Sequence, residues 1–273
     1  LNRPLAPSLG VGAARVENVG RVSNRGLELT AGATLVDRAR LRWEVAVAGS
    51  ANRNRVVDLG PGVAPIIQGF ITGMQRQQAG YPIGAFFQRP IVEWADRDGD
   101  GIVSRVNCPG AGNPQMPGGP ACEVTLGDTA VYLGTPIPVR EANLSTSATL
   151  ARLVRLSALV NYQGGHRQFN TTRAFRCGAF QNCREVHDAR APLADQARAV
   201  ANLMGSYAGY VEDRSFARLR EVAVTLLVPA RLARRVGTRD LQLTLAGRNL
   251  ALWTRYSGFD PAVTINGQAE AGA

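Results

Sequence analysis

The sequence has 273 residues, of which 31 are Lys or Arg against 21 Asp or Glu, giving a net charge of +10 with 45% hydrophobic and 6% aromatic content. All of the basic residues are arginine. No run approaches 18 uninterrupted apolar residues, which excludes a membrane-spanning helix, and a mean hydropathy of -0.08 fits a soluble β protein and a β-barrel equally well. The arginines are spread along the chain, apart from small groups such as Arg231, Arg234 and Arg235. No basic stripe interleaves with aromatics, so no nucleic acid is expected as a partner. With two histidines and no close His/Cys/carboxylate constellation, a metal hydrolase or triad enzyme is not expected either.

The first patterned segment alternates apolar and polar residues with period two, as a strand with one apolar face does. It runs through Leu27-Glu28-Leu29-Thr30 and Ala33-Thr34-Leu35, turns at 37–40, and returns as Leu41-Arg42-Trp43-Glu44-Val45-Ala46-Val47. This predicts a hairpin with a tight connection.

A long irregular segment follows, roughly 51–142. Within it, Asp96-Arg97-Asp98-Gly99-Asp100-Gly101-Ile102 places carboxylates at positions 1, 3 and 5 of a calcium loop, a glycine at 6 and a carbonyl at 7. Position 12 is Asn107, so the bidentate Glu of a helix-loop-helix site is missing, and Val92, Trp94, Val103 and Val106 suit extended chain rather than flanking helices. Asp96, Asp98, Asp100 and Ile102 are therefore read as the ligands of a Ca²⁺-stabilised loop, against a plain solvated acidic turn.

Cys108 and Cys122 enclose a Gly/Pro-rich loop in the same segment, and Cys177 and Cys183 form a second local pair further on. Two loop staples in an oxidising compartment would contribute roughly 2 to 4 kcal/mol each. Four free thiols are the plain alternative. Zinc is a weaker rival, because neither CxxC spacing nor a paired histidine accompanies the cysteines.

A second hairpin is predicted from Leu144–Leu150 and Leu156–Tyr162, and a third from Phe216–Leu226 and Leu241–Leu245, broken at 229–237. Between them lies a second long segment, roughly 164–213, in which Asp195–Met204 has the spacing of a short helix. Short turns within hairpins and long connections between them is the asymmetry of an outer-membrane barrel. Strands of eight to twelve residues suit a tilted crossing of hydrocarbon, which needs about 9 to 11. The fold class expected is all-β, an antiparallel transmembrane β-barrel portion with long extracellular loops, with a secreted β-sandwich or β-helix as the alternative.

The C-terminal third carries the most specific words. Tyr210-Val211-Glu212-Asp213-Arg214-Ser215-Phe216-Ala217-Arg218-Leu219-Arg220-Glu221-Val222 resembles the "dgSFlRLrev" strand of the SusC/RagA-type TonB-dependent outer-membrane transporters. Gly247-Arg248-Asn249-Leu250 followed by Trp253-Thr254-Arg255-Tyr256-Ser257-Gly258-Phe259-Asp260-Pro261 resembles that family's "grNL..wTkYsGfDPe" segment. Upstream, Asn18-Val19-Gly20 with Asn24–Leu29, Gly80–Phe87, the Asp96–Ile102 turn and Leu133–Pro138 follow in the family's order.

The resemblance implies a 22-stranded barrel around an N-terminal plug, in the cell outer membrane and in contact with outer-membrane lipid. It implies the TonB complex as energy source, a SusD-like surface lipoprotein as lid, and an oligosaccharide or peptide substrate, with no catalytic residue and no cofactor. Twenty-two strands with their connections need well over about 400 residues, so residues 1–273 are expected to be the C-terminal part of such a barrel. About 8–10 strands are expected, with the plug domain, signal peptide and closing strand absent. The two cysteine loops are departures not expected of every member. Glu28, Thr30, Glu44 and Thr244 would face the lumen, and Leu27, Leu29, Trp43, Val45, Leu243 and Leu245 lipid. Trp253 and Tyr256 would be interfacial or loop aromatics. A passive outer-membrane channel and a secreted soluble β-sheet protein binding sugar or calcium are the rival readings.

Overall fold

The computed structural model describes residues 2–4, 14–16, 20–68, 74–110 and 113–262. Asn18 and Val19 of the upstream motif lie outside the described residues, as does the C-terminal stretch from 263 on.

Six long strands form one antiparallel sheet: β1 (Arg21–Arg38), β2 (Leu41–Asp58), β3 (Arg140–Leu150), β4 (Val154–Gly164), β5 (Phe216–Val228) and β6 (Leu241–Thr254). Each lies beside its predecessor in sequence, so the sheet is a plain meander. All three predicted hairpins are present, and the expected eight to ten strands come down to six among the described residues. The long connections lack period-two patterning and fold instead as a cap of short strands and helices.

Register sorts the side chains into two faces, because residues directly opposite one another share a face. Leu29, Gly49, Ala142, Tyr162, Ala217 and Trp253 form one row across the sheet. Stepping by two residues along each strand adds Leu27, Trp43, Val45, Val47, Leu144, Leu156, Val160, Val222, Val224, Leu243 and Leu245 to this apolar face. The opposite face carries Glu28, Thr30, Glu44, Ser145, Ser147, Asn161, Glu221, Thr244 and Arg248. On β2 the apolar run spans Leu41 to Ala51, about ten steps of 3.4 Å, which a tilt near 40° turns into a band about 25 Å tall. Above it β1 and β2, 18 residues each, continue with polar residues on both faces.

The buried core sits elsewhere. Leu27 is 73% exposed, Leu29 69%, Leu243 68% and Leu245 79%, so among the described residues nothing covers this part of the apolar face. The cap holds the core, arranged around helix α2 (Leu193–Leu203), whose start lies two residues before the predicted one. Ala197, Val200 and Ala201 pack on Val103, Val124 and Leu126, while Ala199 joins Phe86, Phe169, Ala174, Tyr210 and Val211. Helix α1 (Thr171–Cys177) has only seven residues, too few for a readable period. Its first turn is fixed by the Asn170 side chain, which accepts from the Arg173 N–H at 3.1 Å.

Cys108–Cys122 and Cys177–Cys183 are disulfide-bonded, one in each long connection. The first docks its loop against the end of α2. There Gly110, at φ +144°, brings its Cα so close that an added Cβ would lie 2.8 Å from the Leu203 carbonyl oxygen.

The connection between β3 and β4 turns through Ala151 and Arg152, both left-handed at φ 48° and 61°, with the Leu153 N–H donating to the Leu150 carbonyl at 2.9 Å. Two consecutive left-handed residues suit Asn-Gly, and neither Ala nor Arg favours that region. Ala151→Asn with Arg152→Gly is therefore expected to stabilise the protein by about 1 kcal/mol, read as a rise in the denaturation midpoint. An unchanged or lower midpoint contradicts the turn assignment.

Candidate functional site

The polar face of the sheet is concave and holds a shallow hollow of about 560 Å³, lined in part by Thr34, Glu44, Ser145, Ser147, Ser157 and Glu221. Cross-strand pairs tie its side chains together. The Asn161 amide donates to Asn143 Oδ1 at 2.8 Å, Gln163 to Glu141 at 2.7 Å and Arg248 Nε to Glu221 at 2.9 Å, and the Thr225 and Thr244 hydroxyls meet at 3.0 Å. The apolar face treats its polar intruder differently. The Thr146 hydroxyl receives the Trp43 indole N–H at 2.8 Å and itself donates to the Glu44 carbonyl, so both polar groups of this contact are satisfied.

In the cap, Arg173 on α1 is the central cation. It pairs with Glu185 at 2.5 Å, Asp195 at 3.6 Å and Glu212 at 3.8 Å, and donates to the Ser257 hydroxyl at 3.4 Å. Burial opposes the Arg173 charge and the three carboxylates outweigh it, so its pKa ends above the ordinary value. One guanidinium thus joins both helices, the strand entering β5 and the segment leaving β6.

The acidic turn folds on itself. Asp96 accepts from the N–H groups of Gly99, Asp100 and Gly101 at 2.8, 3.1 and 2.9 Å, and Asp100 accepts from Ile102 at 2.7 Å. Gln196 of α2 holds its far end, accepting from the Val103 N–H and donating to the Gly101 carbonyl.

Sequence reasoning missed Glu123. The residue after the Cys108–Cys122 staple, it is folded back under the turn, where it is buried and accepts from the Arg97 N–H at 2.7 Å and the Ser104 N–H at 2.6 Å. Asp96, Asp98 and Glu123 present carboxylate oxygens within 4.8 Å of one another, a group that does not include the Asp100 carboxylate. The Asp100 N–H lowers the Asp98 pKa, but desolvation and the charges of Asp100 and Glu123 leave it raised. The signal available in the sequence was Glu123's place beside a cysteine whose partner, Cys108, lies just past the turn.

Trp253 and Tyr256 separate. Trp253 is exposed on the apolar face opposite Ala217. Tyr256 turns into the cap, where burial, with the Glu212 charge, pushes its hydroxyl up to about 12.

The two distinctive C-terminal words meet in space. Glu212 accepts from the Ser257 N–H and hydroxyl, both at 2.8 Å, Arg214 Nε donates to the Pro261 carbonyl at 2.5 Å, and Arg218 pairs with Asp260. The stretch 212–218 is thus a clamp on 257–261.

No family profile matches the chain. Over 269 aligned residues it is 25% identical to TonB-dependent receptor P26 of Formosa agariphila, covering 91% of this chain and 26% of that protein. TonB-dependent receptor P3 of the same organism is 23% identical over 278 residues, covering 95% of this chain and 27% of that protein. The chain is similar to these TonB-dependent receptors over most of its length. It spans about a quarter of the length of these relatives. The RagAB peptide transporter structure has the same fold over 98% of this chain and 29% of its own, with a TM-score of 0.67 at 20% identity. The RagAB peptide importer in the open-open state gives 0.65 at 19% identity, over 96% of this chain and 28% of its own.

In this receptor-related chain the clamp is open to direct test. Arg218 is 6% exposed, so removing Asp260 leaves a buried cation without its counter-charge. Asp260→Ala is expected to lower stability by about 3 kcal/mol, with faster proteolysis between 255 and 262. A change below about 0.5 kcal/mol would assign the pair to the solvated surface.

Proposed function

We propose that the chain is wall and loop cap of a TonB-dependent outer-membrane transporter that imports peptides or oligosaccharides. One observation carries this reading: six strands in continuous register present an uncovered apolar face about 25 Å tall against a hydrogen-bonded polar face. A bilayer is the environment that suits the first, and a water-filled lumen or plug the second. The short connections, 39–40, 151–153 and 229–240, lie at one end of the sheet and the cap at the other, as periplasmic turns and extracellular loops do.

Residues 1–273 then form a C-terminal portion of the barrel, the plug and remaining strands belonging to a longer chain. The length of the curated relatives supports this. Import is driven through the plug by the TonB complex, and a SusD-like surface lipoprotein closes the mouth above the cap. The name RagAB peptide transporter supports the peptide arm of the reading. The residues described act as wall, loop and support, with no catalytic group among them.

The orientation is tested by a charge placed on neighbouring positions of one strand. Leu243→Arg is expected to destabilise the assembled barrel by about 2 to 4 kcal/mol, whereas Thr244→Arg is mild. Heat-modifiable migration of the full-length product reads both. Equal damage from the two would sink the assignment of faces.

The same reading takes the acidic turn as a Ca²⁺-stabilised loop with Asp96, Asp98 and Glu123 as ligands. Asp96 Oδ2, Asp98 Oδ1 and both Glu123 oxygens each accept a single backbone N–H and retain a lone pair, which suits a hard cation, whereas Asp96 Oδ1 already accepts two. Calorimetric titration with Ca²⁺ is expected to give heat and a higher midpoint in the wild type and neither in Asp98→Asn. Absence of heat in the wild type removes the metal.

A further inference from the structure

Where the apolar face ends toward the cap, its next residues are arginines. On β1 the face runs from Leu29 and Leu27 to Arg25, on β2 from Gly49 and Ala51 to Arg53 and Arg55, and on β3 from Ala142 to Arg140. Arg25 and Arg53 are directly opposite each other in register, with Arg140 beside Ala51 one step below. Directly opposed residues stand about 5 Å apart at Cβ, and like charges in that position destabilise a sheet.

All four arginines are exposed, and none has an ion-pair partner among the described residues. The nearest carboxylate up the strand, Asp58, is taken by Arg21 at 3.3 Å. The carboxylates nearby along these strands, Glu28 and Glu141, point to the polar face. Arginines without an ion-pair partner among the described residues occur elsewhere too, as at Arg152, Arg155 and Arg220, whereas Arg42 and Arg248 have Glu44 and Glu221 beside them. What sets these four apart is their position, clustered at one height where the apolar face ends.

Aromatic residues accompany it. Tyr162 and Trp253 occupy the row just below Arg140, and Tyr81, Phe87 and Tyr132 form a ring cluster alongside, with centroids 4.8 to 5.8 Å apart. The Arg55 guanidinium lies against Gly80, next to Tyr81, and the Arg53 charge acts on the Tyr132 hydroxyl. Amphipathic rings at the edge of an apolar band mark a membrane interface. Guanidinium groups facing one another suit a bidentate phosphate oxyanion lying between them.

We propose that Arg25, Arg53, Arg55 and Arg140 form a docking site for the phosphorylated headgroup of an outer-leaflet glycolipid whose acyl chains lie on the apolar face below. The site rests on the barrel-wall reading, since only a lipid held against that face brings its headgroup to this height. An anion here relieves the Arg25–Arg53 repulsion. It also fastens the upper ends of β1 and β2 at the edge of the described sheet.

The test uses the full-length receptor in detergent, titrated with diphosphoryl lipid A, with the same lipid stripped of phosphate, and with inorganic phosphate, and read by native mass spectrometry. The wild type is expected to bind the phosphorylated lipid at least about tenfold more tightly than the phosphate-free one. Arg25→Gln with Arg53→Gln is expected to lose roughly fivefold per arginine. Arg155→Gln, on the polar face, is expected to leave binding unchanged.

Equal affinity for the two lipids overturns the proposal, as does an unaffected double variant. Displacement of lipid by millimolar inorganic phosphate overturns it in favour of a free-anion site. Should the double variant fail to fold, salt dependence of wild-type binding decides, because a salt-independent affinity removes the arginine contribution. A receptor that fails to migrate heat-modifiably overturns the barrel reading itself and this site with it. A correctly folded receptor indifferent to lipid phosphate overturns the site alone.

Discussion

The backbone pairing of the six-stranded sheet is the constraint from which the rest follows. On the barrel-wall reading proposed above, every N–H and C=O in hydrocarbon must find a partner within the protein, and a meander of long neighbouring strands meets that need for its inner strands, β2 to β5, without any side chain. Once pairing is continuous, each side chain's face is decided by parity, and a single slip would exchange the faces. The register shifts present, in β1, β2, β4, β5 and β6, leave the apolar face intact across the sheet. The Trp43–Thr146 contact extends the same logic to a side-chain hydroxyl.

The cap obeys a different rule. Its segments are short and rich in Gly and Pro, so it stabilises itself in the manner of a small soluble domain, with a helix at its centre, two disulfides and one half-buried arginine shared among carboxylates. Arg173 succeeds where an isolated buried charge would not, because three acids from separate elements surround it. The Glu212–Ser257 and Arg218–Asp260 contacts then fasten this domain to the ends of β5 and β6.

What the sequence made legible divides along the same line. Period-two alternation is a local signal, and it located all six wall strands, their pairing into hairpins and the face each residue takes. It understated their length, because above the band both faces of β1 and β2 are polar and alternation disappears. The cap depends on contacts between residues far apart in sequence, so α1 escaped notice. So did Glu123, which lies 27 positions beyond Asp96 in the chain and beside it in the fold. Tyr256 shows the limit from the other side. Three residues after Trp253, it carries the same sequence expectation of an interfacial or loop aromatic, and the clamp sets the two apart by turning Tyr256 into the cap.

Both disulfides are local, separated by 14 and 6 residues, and neither crosses from one long connection to the other or from cap to wall. Their topology is therefore that of small closed rings threaded on an otherwise open chain. Such rings do not dictate which strand pairs with which, so oxidation and sheet assembly are free to occur in either order. Among the described residues they also leave the two connections joined by packing and by hydrogen bonds such as those of Gln196 with Gly101 and Val103, contacts that form and break reversibly. The covalent reinforcement of the cap thus lies wholly inside each of its two connections.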